Sequence, residues 1–298
     1  MKKIYLTLAA LALIGIAMLF FRGVQSTPSS SPKKLTIVST IYPFADLAEK
    51  IAKDRAYVVT IVPGGVEPHE YEPTPQSIVA IKNSNIFIYN GFSSMEPWIA
   101  KVLPLIPEVT SINTSSLIST LPDNPHFWLD PENDKKIADK IRDILMQKDP
   151  VNAAFYRQNT DALKIQFTNI DQMYQAELST SNCSLRDVVV AHDAYAYMAK
   201  KYHIITHPIA GLSPDTEPDA QTIAQLINLV RQRNIPYILF EELATPKIAE
   251  TIAKEADVKT LMLSPIEGLT AEEMNEGQDM ISIMKNNLAT LKLAMKCK

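Results

Sequence analysis

The chain has 298 residues, 46% of them hydrophobic and 21% charged, enough for two domains and a sizeable core. Its 29 basic and 33 acidic residues leave a formal net charge of −4. No basic stripe interleaves with aromatic residues, which excludes a nucleic-acid binder and a basic membrane-surface protein.

The N-terminus reads as an export signal. Lys2 and Lys3 precede the apolar run Ile4–Phe21, and Val24 and Ser26 supply the small-residue pattern of a cleavage site. The run is also at the lower edge of what spans a bilayer. The expectation is a signal peptide or an uncleaved N-terminal anchor over residues 1–26, then a Ser/Thr/Pro-rich flexible linker over residues 27–34. No cysteine lies near this segment, so a lipid anchor on it is not expected. The only cysteines, Cys183 and Cys297, suggest one disulfide in an exported chain.

From Leu35 onward, strand and helix patterns alternate. Strands are expected at Leu35–Ser39, Tyr57–Val62, Ile86–Tyr89 and Val109–Asn113. Helices are expected at Ile41–Ala52, Pro75–Asn83 (capped by Thr74) and Glu96–Leu103. This succession implies a parallel sheet with helices on its faces. Val151 to Leu178 contains no Gly or Pro, and Leu163, Phe167, Ile170, Tyr174 and Leu178 fall on one helical face. A helix over that stretch is about 42 Å long, which suits a strut between two lobes.

The second half repeats the pattern, with strands at Arg186–Ala191, His203–Ile209, Ile235–Phe240 and Thr260–Leu263. Helices are expected at Asp193–Tyr202, Asp219–Arg233 and Pro246–Glu255. Thr270 and Glu273 form a capping box ahead of a C-terminal helix reaching about Lys296. The expected architecture is therefore α/β. Two parallel-sheet lobes, residues 35–150 and 179–298, are joined by one long rigid helix at 151–178.

Ligands of open parallel sheets collect at the carboxyl ends of the strands. His69 and His192 follow strands in this way, Glu267 follows the strand ending at Leu263, and His126 lies in the turn before the helix at Asp130-Pro131. Each lobe thus offers two ligands to an interlobe cleft. Three imidazoles and a carboxylate suit Zn²⁺, although imidazole also suits copper, nickel and iron.

The segment Gly64–Pro75 resembles the metal-binding signature of the solute-binding proteins of bacterial zinc and manganese ABC importers. So, in order, do Thr40-Ile41-Tyr42-Pro43, Asn90-Gly91 with Glu96-Pro97-Trp98, and Asn124-Pro125-His126-Phe127-Trp128-Leu129-Asp130-Pro131. Val190–Tyr197, Gly211–Pro218, Phe240-Glu241-Glu242 and Ser264–Thr270 complete the resemblance.

The resemblance implies two lobes bridged by a long helix, with His69, His126, His192 and Glu267 around a buried metal. The third ligand is His in zinc-type members and commonly Glu in manganese-type members, so His192 points to Zn²⁺ as cargo, with Mn²⁺ or iron as the alternative. It further implies a monomeric, non-enzymatic periplasmic protein, free or tethered to the membrane by an uncleaved N-terminal segment, that delivers the ion to an ABC importer permease.

Two departures stand out. Asn124 replaces the usual Asp, which removes a possible carboxylate partner for His126. The His-rich loop of many zinc members is absent from Asn113–Asn124.

Several other residues carry competing readings. Glu241 and Glu242 could support a ligand or rival Glu267. Glu70 could be the base of a zinc hydrolase, but solvated loop charge or support of the adjacent ligand is expected for Glu67, Glu70 and Glu72 because a catalytic zinc needs an open position and a positioned base. Asp193 is expected as helix-start charge, Trp128 as cleft packing, and His203 and His207 as packing or surface residues.

Overall fold

Short Ile/Val-rich runs separated by helices form parallel sheet because parallel neighbours need a crossover and bury both faces. The computed structural model describes residues 34–298; the expected export signal and nearly all of the linker lie outside the described residues. The first sheet is built from β1 (Leu35–Ser39), α1 (Tyr42–Ala52), β2 (Ala56–Thr60), α2 (Pro75–Lys82), β3 (Ile86–Tyr89), α3 (Ile99–Val102) and β4 (Thr110–Asn113). Its strands run in the order β2-β1-β3-β4, all parallel.

After α4 (Pro131–Lys148) and α5 (Ala153–Glu177), the chain enters β5 (Asp187–Val190), α6 (Ala196–Tyr202), β6 (Ile205–Pro208) and α7 (Ala220–Arg233). Next come β7 (Tyr237–Phe240), α8 (Lys247–Ala256), β8 (Lys259–Met262), α9 (Ala271–Asn275) and α10 (Met280–Ala294). The second sheet has the order β6-β5-β7-β8, again parallel. The two sheets therefore share one topology. Each reverses its strand order between the two central strands, which opens a crevice at their carboxyl ends.

The linking helix α5 has 25 residues, about 37 Å at ~1.5 Å per residue. One face buries Tyr156, Leu163, Phe167, Ile170 and Tyr174, in the same apolar cluster as residues of both halves. Asn159 Nδ2 donates to the Ile51 carbonyl at 2.9 Å, and the Tyr174 hydroxyl donates to the Met284 carbonyl at 2.7 Å. The helix is thereby fastened to α1 at one end and to α10 at the other.

Caps follow the sequence at Thr74, whose Oγ1 accepts from Ser77 N–H, and at Asp130, whose carboxylate accepts from Glu132 N–H. Two elements differ from expectation. The expected helix at Glu96–Leu103 shrinks to Ile99–Val102, because the Glu96 carboxylate turns back to bond the backbone of Asn90 and Gly91. The expected single C-terminal helix is two. The Thr270–Glu273 box starts α9, Gly277 at φ +68 stops it, and a second box, Asp279 with Ser282, starts α10.

Cys183 and Cys297 form the expected disulfide, joining the loop after α5 to the chain beyond α10. Among the described residues no helix is long and apolar enough to cross a membrane.

Candidate metal centre

His69, His126, His192 and Glu267 come together, all buried, with one ligand-type atom from each lying within 4.8 Å of the others. Each arrives by a different route. His69 sits in the loop between β2 and α2, and His126 precedes the short 3₁₀ turn Phe127–Leu129 that leads into α4. His192 lies two residues beyond β5, and Glu267 in the loop after β8.

His126 Nε2 is 3.1 Å from His69 Nε2, 3.1 Å from His192 Nε2 and 2.9 Å from Glu267 Oε1. Glu267 Oε1 lies 3.6 Å from His69 Nε2 and 3.4 Å from His192 Nε2. Metal–ligand bonds of about 2.0 Å at tetrahedral angles place ligand atoms about 3.3 Å apart. Five of the six edges of such a tetrahedron are thus within a few tenths of an ångström of that value.

The opposite nitrogen of each ring is held. His69 Nδ1 is 3.1 Å from the Ser94 carbonyl, His126 Nδ1 is 3.0 Å from Asn124 Oδ1, and His192 Nδ1 is 2.8 Å from both oxygens of Glu241. With Nδ1 donating in each case, the three Nε2 atoms are turned toward one another, and each offers a lone pair to an ion once it carries no proton. Both oxygens of Glu267 are buried and have no hydrogen-bond partner outside the three rings. Three converging ring nitrogens crowded around one buried carboxylate are costly alone and are satisfied together by a cation.

Electrostatics follow from the burial. Burial pushes the His126 ring down to about 3. Burial acts to lower His192 as well, but Glu241 and Glu267 outweigh it and hold that ring well above the ordinary imidazole value. Burial acts to raise Glu267, yet its contacts with the three rings keep it well below the usual carboxylate range. Glu67 accepts from His69 N–H at 3.1 Å, and burial together with the charge of Glu267 pushes it up to about 9.

The rival carboxylates fall elsewhere. Glu241 follows β7 directly and supports the far side of the His192 ring, and Glu242 accepts from the Ser264 hydroxyl. Asn124 does what the missing Asp was expected to do: its Oδ1 accepts from His126 Nδ1 while its Nδ2 donates to the Asp193 carbonyl at 2.8 Å. Asp193 lies in the turn ahead of α6, and its contact with Asn124 is through the backbone. His207 pairs with Asp187 at 2.8 Å, and His203 ends α6 in the left-handed region; neither approaches the cluster.

The Glu267 loop is braced across the cleft. Trp128 Nε1 donates to the Pro265 carbonyl at 2.8 Å, with its ring 5.4 Å from that of His126. Gly65 N–H donates to the Leu269 carbonyl at 2.8 Å. Ile266, fully buried, has φ +59, a backbone state rare for a β-branched residue. Its N–H bonds Ser264 Oγ at 3.0 Å, and Ser264 is in turn clamped by Asn287.

Two parallel-sheet lobes on a long helix, with a buried three-histidine, one-carboxylate cluster between them, define a two-lobed solute-binding protein of metal-ion type. The sequence profile of the zinc-uptake complex component A, periplasmic (ZnuA), matches residues 37–294, and the chain belongs to that family. It is 32% identical over 289 residues to the high-affinity zinc uptake system protein ZnuA of Bacillus subtilis, covering 90% of each chain. It is 34% identical over 313 residues to the zinc-binding lipoprotein AdcA of Streptococcus pneumoniae, covering 98% of this chain but 61% of that protein's length. The fold matches the crystal structure of the Zn(II)-bound ZnuA-like domain of S. pneumoniae AdcA with a TM-score of 0.78. That match is 36% identical and covers 88% of this chain and 99% of that one. The B. subtilis metal-dependent lipoprotein YcdH matches with a TM-score of 0.79 at 34% identity, covering 88% and 100%.

Proposed function

We propose that this chain captures Zn²⁺ outside the cytoplasm with His69, His126, His192 and Glu267 and delivers it to the permease of an ABC importer. The observation that carries this reading is the near-tetrahedral approach of three Nε2 atoms and Glu267 Oε1, each imidazole held from behind by an acceptor. Four protein ligands fill a tetrahedron and leave no position for a reacting water, so the chemistry is binding and not hydrolysis. Manganese prefers a set richer in oxygen. Residues 35–150 and 179–298 act as the two lobes and residues 151–178 as the strut. Residues 1–26 serve as export signal or tether.

Calorimetric titration of the metal-free protein with Zn²⁺ and with Mn²⁺, repeated on His192→Ala, tests this. Tight binding of zinc, weaker binding of manganese and a loss of zinc affinity of at least about 100-fold in the variant are expected. Zinc affinity unchanged by His192→Ala refutes the ligand set, and a preference for manganese refutes the cargo.

A further inference from the structure

We propose that Glu96 is a positioning residue for zinc capture, fixing both histidines of the first lobe through the turn that joins it to Asn90. The inference rests on the zinc-binding reading above and adds a residue that touches neither the ion nor a ligand.

Glu96 is 1% exposed, and no cation faces it. Its two oxygens accept from Asn90 N–H at 2.9 Å and Gly91 N–H at 3.2 Å. A buried carboxylate held by two backbone N–H groups and the Thr40 hydroxyl, with no cation, is expensive, which makes its location informative. It closes the turn from Asn90 to Glu96, and two connections leave that turn. In one, Asn90 Nδ2 donates to the Pro125 carbonyl at 3.0 Å, and Ser94 Oγ to the Asp123 carbonyl at 3.3 Å, on the segment that delivers His126. In the other, the Ser94 carbonyl accepts from His69 Nδ1 at 3.1 Å.

The turn is itself fastened to the end of β4. Ser115 N–H donates to the Asn90 carbonyl at 3.0 Å, and Thr114 Oγ1 to the same carbonyl at 3.2 Å. Gly91 has φ +99, and a Cβ there would stand 2.1 Å from Asn113 Oδ1, so only glycine permits this approach. The outcome is the 3.1 Å separation of His69 Nε2 and His126 Nε2, although the two residues sit on different loops. In the second lobe Glu241 performs the corresponding task by direct contact with His192. Each lobe thus devotes one buried glutamate to aiming its imidazoles.

The test compares wild type, Glu96→Ala and Glu96→Gln by zinc titration and by the visible absorption of the Co²⁺-substituted protein. Melting curves establish the temperature at which each variant is folded. Glu96→Ala is expected to bind zinc about 10–100-fold more weakly and to show a weakened, shifted Co²⁺ band. Glu96→Gln keeps one acceptor oxygen and is expected to recover most of both signals. A folded Glu96→Ala with wild-type affinity and spectrum overturns the proposal. Should Glu96→Ala not fold, Asn90→Ser, too short to reach the Pro125 carbonyl, is expected to weaken zinc binding several-fold; unchanged affinity and spectrum there overturn the proposal equally. Wild-type protein that fails to bind zinc sinks the functional reading itself, whereas wild-type binding matched by Glu96→Ala sinks only the positioning role.

Discussion

Both carboxylate oxygens of Glu241 lie 2.8 Å from His192 Nδ1, and Glu241 is itself buried. A carboxylate behind a ligating imidazole fixes the tautomer, orients the ring and raises its basicity toward the metal. Glu241→Gln keeps an acceptor but removes the charge, and is expected to weaken zinc binding about 10-fold; Glu241→Ala also frees the ring, and is expected to weaken it about 100-fold. Competition against a zinc chelator measures both, and wild-type affinity in the alanine variant is incompatible with the role assigned to Glu241.

Zinc affinity is expected to fall with pH. Imidazole must be neutral to bind, with an ordinary pKa of about 6.5. His192 is held well above that value in the metal-free protein, so the ion displaces a proton from it even at neutral pH. Affinity should therefore still be rising between pH 6.5 and 8, and the apparent binding enthalpy at pH 7 should depend on the buffer's ionisation enthalpy. A flat affinity between pH 8 and 5 contradicts a histidine-dominated site.

The stability of the metal-free protein is expected to decline as pH rises from about 4.5 to 7. Burial pushes Glu96 and Glu242 up to about 7, so in this window the folded chain holds protons that the unfolded chain has released. Each such group gives a slope of up to about −1.4 kcal/mol per pH unit. Asp46 and Asp134 are raised by burial and act in the same direction. His126, lowered to about 3, opposes them up to about pH 6.5 by taking up a proton only on unfolding. Asp279, lowered mainly through its bond from Ser282 N–H against the effect of burial, acts only below this range. Urea unfolding at pH 5 and 7 should show the decline, and Glu242→Gln should make it shallower; stability that rises across this interval would contradict the assignment.

Trp128→Phe removes the indole N–H that bonds the Pro265 carbonyl while keeping most of the ring. The lost bond is worth about 1 kcal/mol, and it braces the loop that carries Glu267. Zinc transfer to a chelator in stopped-flow should become about 5-fold faster, with association little changed. Unaltered release would show that the loop is held elsewhere.

The Cys183–Cys297 bridge closes a loop with a sequence separation of 114. In the chain-entropy model a loop of that size contributes about 4–5 kcal/mol. The double Ser variant should lose much of that in urea unfolding yet keep its zinc affinity, because the bridge lies at the base of the linking helix and not at the cluster. A fall in affinity matching the fall in stability would tie the bridge to the site.

Most of the fold could be read from the chain because its strands are short β-branched runs with polar ends, and parallel topology leaves few ways to connect them. The four clustered residues were legible through ordered motifs, not through spacing, since ligands on separate loops have no common period. The roles of the neighbouring glutamates were less legible. Glu241 and Glu242 are adjacent in a strand exit, and only the pleat of β7 decides that the first meets His192 and the second Ser264. Asn124 misled for a chemical reason: an amide oxygen accepts a hydrogen bond as a carboxylate does, so losing the charge did not lose the partner. The break between α9 and α10 did have a signal, in Gly277 followed by Asp279 and Ser282, which a single long helix reading passes over. Glu96 stood in a recognised motif with Asn90-Gly91, but its task was not legible there, because a carboxylate bonding mainly to backbone N–H groups leaves no partner side chain at a fixed spacing.

Two buried carboxylates, Glu267 and Glu241, touch the cluster's imidazoles, while neighbouring Glu67, pushed up to about 9, keeps its proton at neutral pH. With Glu267 and Glu241 ionised and all three rings neutral, the enclosed volume carries two negative charges. A monovalent ion would leave one of them uncompensated and a trivalent ion would add one of the opposite sign, each at a cost of several kcal/mol away from water. With both carboxylates ionised, the cavity thus favours an ion of charge two over one of charge one or three.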